Sequence, residues 1–203
     1  MASKPDPRPR RTAAQTREHV LAVAHELFYW RGIRATGVDA IAAEAGVAPT
    51  TLYRLFASKD DLIAAYIERA DRLYREWMTE ATAPRVGAPR ERIIALFDAL
   101  DEQVQPQRCR GCPFLMALAE FPDPSLPAHA GAVATKAWVQ GRLGELTDAL
   151  AATEPIGDPE ALADQLAVVM EGVYASAQAL GAAGPARRAR AIAETLMDAA
   201  QRS

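Results

Sequence analysis

The stretch from residue 45 to 62, AGVAPTTLYRLFASKDDL, leaves room for a helix of only seven residues between two breaks. Gly46 and Pro49 punctuate its start, and Ser58-Lys-Asp-Asp61 opens another helix directly after it. Helices shorter than about 12 residues are marginal in water, so this one must be held by its neighbours. On a helical wheel with Leu52 as origin, Leu55 and Phe56 fall on the same side. Thr50 and Arg54 fall opposite, at about 160° and 200°, flanked by Thr51 and Tyr53. The short helix is therefore expected to be anchored by three apolar residues and to present Thr50, Thr51, Tyr53 and Arg54 outward. Upstream, Ala42 permits a close helix crossing, Gly46 a left-handed turn, and Val47 a plug at the corner. This is the pattern of a helix-turn-helix, with the second helix short enough for a groove about 12 Å wide. An ordinary corner in a helical bundle would also favour Ala, Gly and Val. Tyr53 and Lys59, both suited to phosphate, tip the reading toward nucleic acid.

The rest of the chain reads as helical throughout. It is half hydrophobic by residue but only 6% aromatic, and alternating β-branched runs are absent. Thr12 and Gln15 have capping-box spacing for a first helix that stops before Gly32. A second is expected over 38–45, a third over 49–55 and a fourth over 59–80. TAPRVGAPR, 82–90, breaks the pattern. Ile93, Phe97, Leu100 and Val104 mark a fifth helix, CRGCPFLMALAEF holds a short sixth, and a seventh runs roughly 126–151. Asp158 and Pro159 are a cap and a first-turn proline for an eighth, 159–180, and Gly181 and Gly184 separate it from a ninth, 185–201. The expectation is an all-α protein of about nine helices. A disordered basic arm (1–11) precedes a DNA-binding domain (12–58, motif 37–56) and a larger C-terminal domain (59–203), joined by helix 59–80.

Charge divides in the same place. Residues 1–59 carry nine Lys/Arg against five Asp/Glu, whereas 60–203 carry fourteen against twenty-one. A basic N-terminal third, including Arg8, Arg10 and Arg11, on an acidic body fits a polyanion met only by the former. No apolar run approaches the ~18 residues of a membrane span. The N-terminus does not read as a secretory signal, and two cysteines suit a reducing compartment, so a cytoplasmic location is expected.

TREHVLAVAHELFYWRGIRATGVDAIAAEAGVAPTTLYRLFASKDDL, residues 16–62, resembles the DNA-binding domain of the TetR (tetracycline-repressor) family of transcriptional regulators. The resemblance implies three N-terminal helices, a connecting fourth, and a C-terminal domain that binds a small molecule and forms a homodimer. By position it puts Thr50, Thr51, Tyr53 and Arg54 on the recognition helix and makes Lys59 a phosphate contact. The chain departs from the family pattern at Gly37, where a Ser or Thr cap is usual, so Thr36 is the expected stand-in. Pro49 replaces a usual polar residue and Leu55 a common histidine. The family arrangement would pair 159–180 and 185–201 with their copies, with Ala163, Leu166, Val169, Met170 and Val173 supplying the apolar spacing; the alternative is that these residues pack only within the subunit, as some of them must.

Phe97, Leu100, Phe114, Met116, His129, Trp138, Met170 and Tyr174 form the candidate ligand set, large side chains able to line a cavity between helices. Cys109 and Cys112 have thiol–disulfide spacing, and a helix start with Arg108 and Arg110 nearby would lower a thiol pKa. A redox-sensing regulator is the alternative they raise. Zinc would need two more ligands, with only His129 in reach. His19 and His25 read as surface residues without partners. No catalytic triad, paired carboxylate site, nucleotide loop or metal cluster emerges, so neither an enzyme nor a cofactor is expected.

Overall fold

The computed structural model describes residues 11–201, in which nine α-helices and three short 3-10 turns account for the regular structure. The expected basic arm falls outside the described residues except for Arg11, which is exposed and non-helical. The chain forms two compact units, one ending at Tyr66 and the other starting at Ile67.

The first unit contains α1 (Ala13–Arg31), α2 (Val38–Glu44), α3 (Pro49–Leu55) and the opening of α4 (Lys59–Ala81). The Thr12 hydroxyl accepts from the Gln15 amide and the Gln15 side chain accepts from the Thr12 amide, the reciprocal cap its spacing demands. Val20, Leu21, Ala24, Leu27 and Phe28 line the buried stripe of α1 and share a core with Ile41, Leu52, Phe56, Leu62 and Tyr66. Burial of these side chains is what holds the two seven-residue helices, since each large apolar residue removed from water contributes about 1.5–3 kcal/mol.

Two polar latches, at His19 and Thr36, and one ring contact, at His25, secure the unit, and all three correct the sequence reading. His19 is not a free surface residue: its Nε2 lies 3.0 Å from the Ala45 carbonyl at the end of α2. His25 packs its ring edge-on against Tyr66, with centroids 5.3 Å apart. Thr36, expected to cap α2, is buried to 3% exposure and donates instead to the carbonyls of Gly32 and Leu27. The N-cap of α2 is Gly37, with no side chain to offer.

The second unit holds the remainder of α4, then α5 (Pro89–Gln103), α6 (Pro113–Glu120), α7 (Pro127–Ala151), α8 (Pro159–Leu180) and α9 (Ala189–Ala200). The α7 and α8 helices pair along their lengths, α6 packs on α7, and α9 packs on α5 and α8. Gly131 brings α7 close to α4, since a Cβ there would lie 2.9 Å from the Ile67 side chain. Asp158 caps α8 through the Ala161 amide, 2.9 Å away, as its position ahead of Pro159 implies. The ninth helix starts at 189, four residues later than expected. Residues Pro185–Arg188 wind as a 3-10 turn, in which residues three apart eclipse, and this turns Ala186 and Ala189 together toward the interior.

A further correction concerns α8. Ala163, Leu166, Met170 and Val173 are buried within the subunit and so are spent on its core, while Val169 is half-buried. The outward stripe is instead Val168, Gly172, Ala175 and Ala179, with Val168 at 72% exposure.

Candidate nucleic-acid interface

The turn into α3 is set by hydrogen bonds that only a left-handed residue allows. Gly46 has φ 65° and donates to the Ala43 carbonyl, while the Val47 amide donates to Ala42 at 3.0 Å. These are the paired bonds of a Schellman motif, which stops α2 and redirects the chain. Pro49 then occupies the first turn of α3 with its fixed φ and no amide to satisfy. The Thr51 and Leu52 amides both reach the Ala48 carbonyl, at 2.8 and 3.3 Å.

Leu52 (1% exposed) and Phe56 anchor α3 in the core. Leu55, expected alongside them, is half-buried and seals the edge rather than the centre. Thr50, Tyr53 and Arg54 are exposed, Tyr53 to 53%, and Thr51 is half-buried. Lys59 stands in the first turn of α4 with its ammonium 3.2 Å from the Arg34 carbonyl, which uses one of three donors. The Ser58 hydroxyl accepts from the Asp61 amide at 3.0 Å and starts that helix. Arg17 was not singled out from the sequence. Its guanidinium lies 4.8 Å above the Phe56 ring, a cation–π contact that parks a positive charge beside the exit of α3. The only sequence hint was an arginine near the start of an N-terminal helix. Thr36, being buried and fully used, is left out of the DNA-facing set.

In the second unit the ligand-set residues separate into two groups. Phe97, Leu100, Phe114, Met170 and Tyr174 are buried, while Met116, His129 and Trp138 are half-buried. Tyr174 donates to Gln103 at 2.8 Å and stands 3.5 Å from the Tyr74 hydroxyl, and the Tyr74 ring meets Phe114 edge-on. Burial holds both phenols well above their usual range. His129 and Trp138 are engaged elsewhere: the His129 Nδ1 lies 2.8 Å from the Phe121 carbonyl, and the Arg75 guanidinium covers the Trp138 ring. Tyr74, Gln103 and the Lys136–Glu171 ion pair, 2.5 Å, were missed from the sequence. The available signal was a lysine and a glutamate set among small and apolar neighbours, Lys136 on α7 and Glu171 on α8.

Cys109 and Cys112 are free and buried. The sequence expectation of an activated thiol at Cys112 is reversed. Burial pushes it up, outweighing the opposing effects of the Lys136 ammonium and the Leu115 amide. No group of three or more His, Cys, Asp or Glu able to hold a metal occurs among the described residues. No helix there is long and apolar enough to cross a membrane.

Residues 20–66 match the model of bacterial regulatory proteins of the tetR family, and residues 89–193 match the tetracyclin repressor-like C-terminal domain. The HTH-type transcriptional regulator YjdC of Escherichia coli K12 is 26% identical over 156 residues, spanning 77% of this chain and 80% of that protein. The HTH-type transcriptional repressor NemR of the same strain is 31% identical over 115 residues, 56% of this chain and 58% of its own. The crystal structure of SCO4454, a TetR-family transcriptional regulator from Streptomyces coelicolor, superposes with a TM-score of 0.79 at 31% identity, covering 93% of this chain and 95% of that one. Two family models in order, the second over more than half the chain, join an all-α fold with a helix-turn-helix: the chain belongs to the TetR family of DNA-binding transcriptional regulators.

Proposed function

We propose that this protein is a homodimeric, cytoplasmic repressor that holds an operator through two copies of α3 and releases it when a small molecule binds in the second unit. The observation that carries the DNA reading is the division of α3, with Leu52 and Phe56 buried and Thr50, Tyr53 and Arg54 in solvent. Arg54 reaches a base edge, with the O6/N7 pair of guanine as its natural bidentate partner. Tyr53 and Lys59 take phosphates and set the register. Two such helices must stand about 34 Å apart, or a multiple of it, to enter successive major grooves on one face of the duplex.

The outward stripe Val168, Gly172, Ala175 and Ala179 supports pairing of α8 with its copy, because small side chains let two helices approach closely. Leu180 at the end of α8 and Ile192 on α9 are further exposed apolar side chains. The cluster of buried Tyr74, Phe114 and Tyr174 with half-buried Gln103 supports a ligand of mixed aromatic and hydrogen-bonding character. Such a molecule, binding better to a dimer with its recognition helices at a different spacing, shifts the population away from DNA. The thiol alternative is the weaker reading, since burial keeps Cys112 protonated.

The test is recovery of bound fragments from genomic DNA by the full-length protein, followed by affinity measurements with Arg54→Ala. The variant is expected to lose about 1–3 kcal/mol on the recovered site and to flatten preference at one position in each half-site. Equal losses on recovered and random DNA would make Arg54 a backbone contact and remove the base-reading role.

A further inference from the structure

We propose that the leading edge of α3 reads thymine methyl groups, so that each operator half-site carries thymine beside the base pair taken by Arg54. This rests on the proposal that α3 enters the major groove. Ala48, Pro49 and Thr50 are all exposed, and they form the end of the helix that meets base edges first in this docking mode. That end is unusually poor in hydrogen-bonding chemistry. Ala48 caps the helix with no side-chain oxygen, Pro49 has no amide, and the Thr51 and Leu52 amides are already turned back to the Ala48 carbonyl. No charged residue occurs between Glu44 and Arg54.

A major-groove edge presents donors and acceptors almost everywhere, and pressing an apolar surface against them leaves them without partners. One apolar group is available there, the C5 methyl of thymine. The Ala48 methyl, the Pro49 ring and the Thr50 methyl together make a surface for it, while the Thr50 hydroxyl remains free for a neighbouring acceptor. Thymine is thus accepted by contact, and cytosine at the same place lacks the methyl and presents its amino donor to the Ala48 methyl and the Pro49 ring, neither of which can accept it. The competing account is that Pro49 serves only as a helix start, for which the first turn suits it well.

Removing the methyl alone separates these accounts. Duplexes are selected from a random-sequence library by the full-length protein, and each thymine of the selected duplex is replaced singly by deoxyuridine. At one or two positions in each half-site the dissociation constant is expected to rise about 3- to 5-fold, the worth of one buried methyl. In Pro49→Ser and Ala48→Gly proteins, both altered at exposed positions, that rise is expected to shrink at the same positions, measured against each variant's own affinity for the parent duplex. Uracil tolerated everywhere in a well-selected duplex overturns this inference and leaves the DNA-reading role standing. Sensitivity unchanged in both variants also overturns it, by moving the methyl contact to other residues. Failure to select any preferred duplex sinks the DNA-reading role itself, and this inference with it.

Discussion

Replacing Gly46 by alanine tests whether the turn between α2 and α3 depends on conformation alone. A Cβ added at Gly46 meets nothing within 4 Å, so no steric clash contributes. The backbone there has φ 65°, a left-handed conformation that costs an L-residue roughly 1–2 kcal/mol. Alanine also stiffens the unfolded chain, which returns roughly 0.4–1 kcal/mol. The net expectation is destabilisation of the first unit by about 0.5–1 kcal/mol. Asparagine, though larger, tolerates the left-handed region and is expected to cost less than alanine. The assay is urea unfolding in a Trp77→Phe/Trp138→Phe background, where fluorescence reports on Trp30 in the first unit alone. A shifted midpoint with an unchanged slope identifies a stability effect. Substitutions ranked by size, with asparagine worse than alanine, would refute the conformational argument and point to crowding at the corner.

Three further outcomes are expected. Lys59→Ala and Arg17→Ala should each weaken binding to all DNA and lower the salt slope by ~0.9, read from titrations between low and high salt; an unchanged slope removes that residue from the interface. The Cys109→Ser/Cys112→Ser protein is expected to bind operator as the wild type does in oxidant and in reductant, because burial raises the Cys112 thiol; reversible release confined to the wild type would make the thiols the switch. Burial holds the Cys112 thiol and the Tyr74 and Tyr174 phenols above their ordinary values, so the unfolded chain gives up these protons first. Their contribution to stability is full below the unfolded thiol pKa of ~8.5 and is lost as pH climbs toward the raised folded values. Chemical unfolding from pH 7 to 10 checks this, and a Cys112→Ser protein should decline less over that range.

What the sequence determined by itself is whatever depends on near neighbours along the chain. Helices bounded by Thr12, Gly46, Pro49, Ser58 and Asp158 were legible because caps, left-handed turns and first-turn prolines act within four residues. The outward face of α3 was legible for a related reason. A helix repeats every 3.6 residues, so one buried Leu52 places Thr50 and Arg54 on the far side.

Tertiary structure decided everything that needs a second element. Whether Thr36 caps a helix or latches a turn depends on where the Gly32 and Leu27 carbonyls lie. The roles of His19 and Arg17 depend on which parts of α2 and α3 come beside α1. On α8, Leu166, Met170 and Val168 are alike in sequence terms, and only the packing of α7 and α9 determines that the first two are buried and the third faces solvent. The same holds for Cys112, where a helix start and nearby arginines pointed to a lowered thiol and the surrounding core raised it instead. Local hydrogen bonding sets where elements begin and end; desolvation and long-range contact, which act between elements, set what each side chain is for.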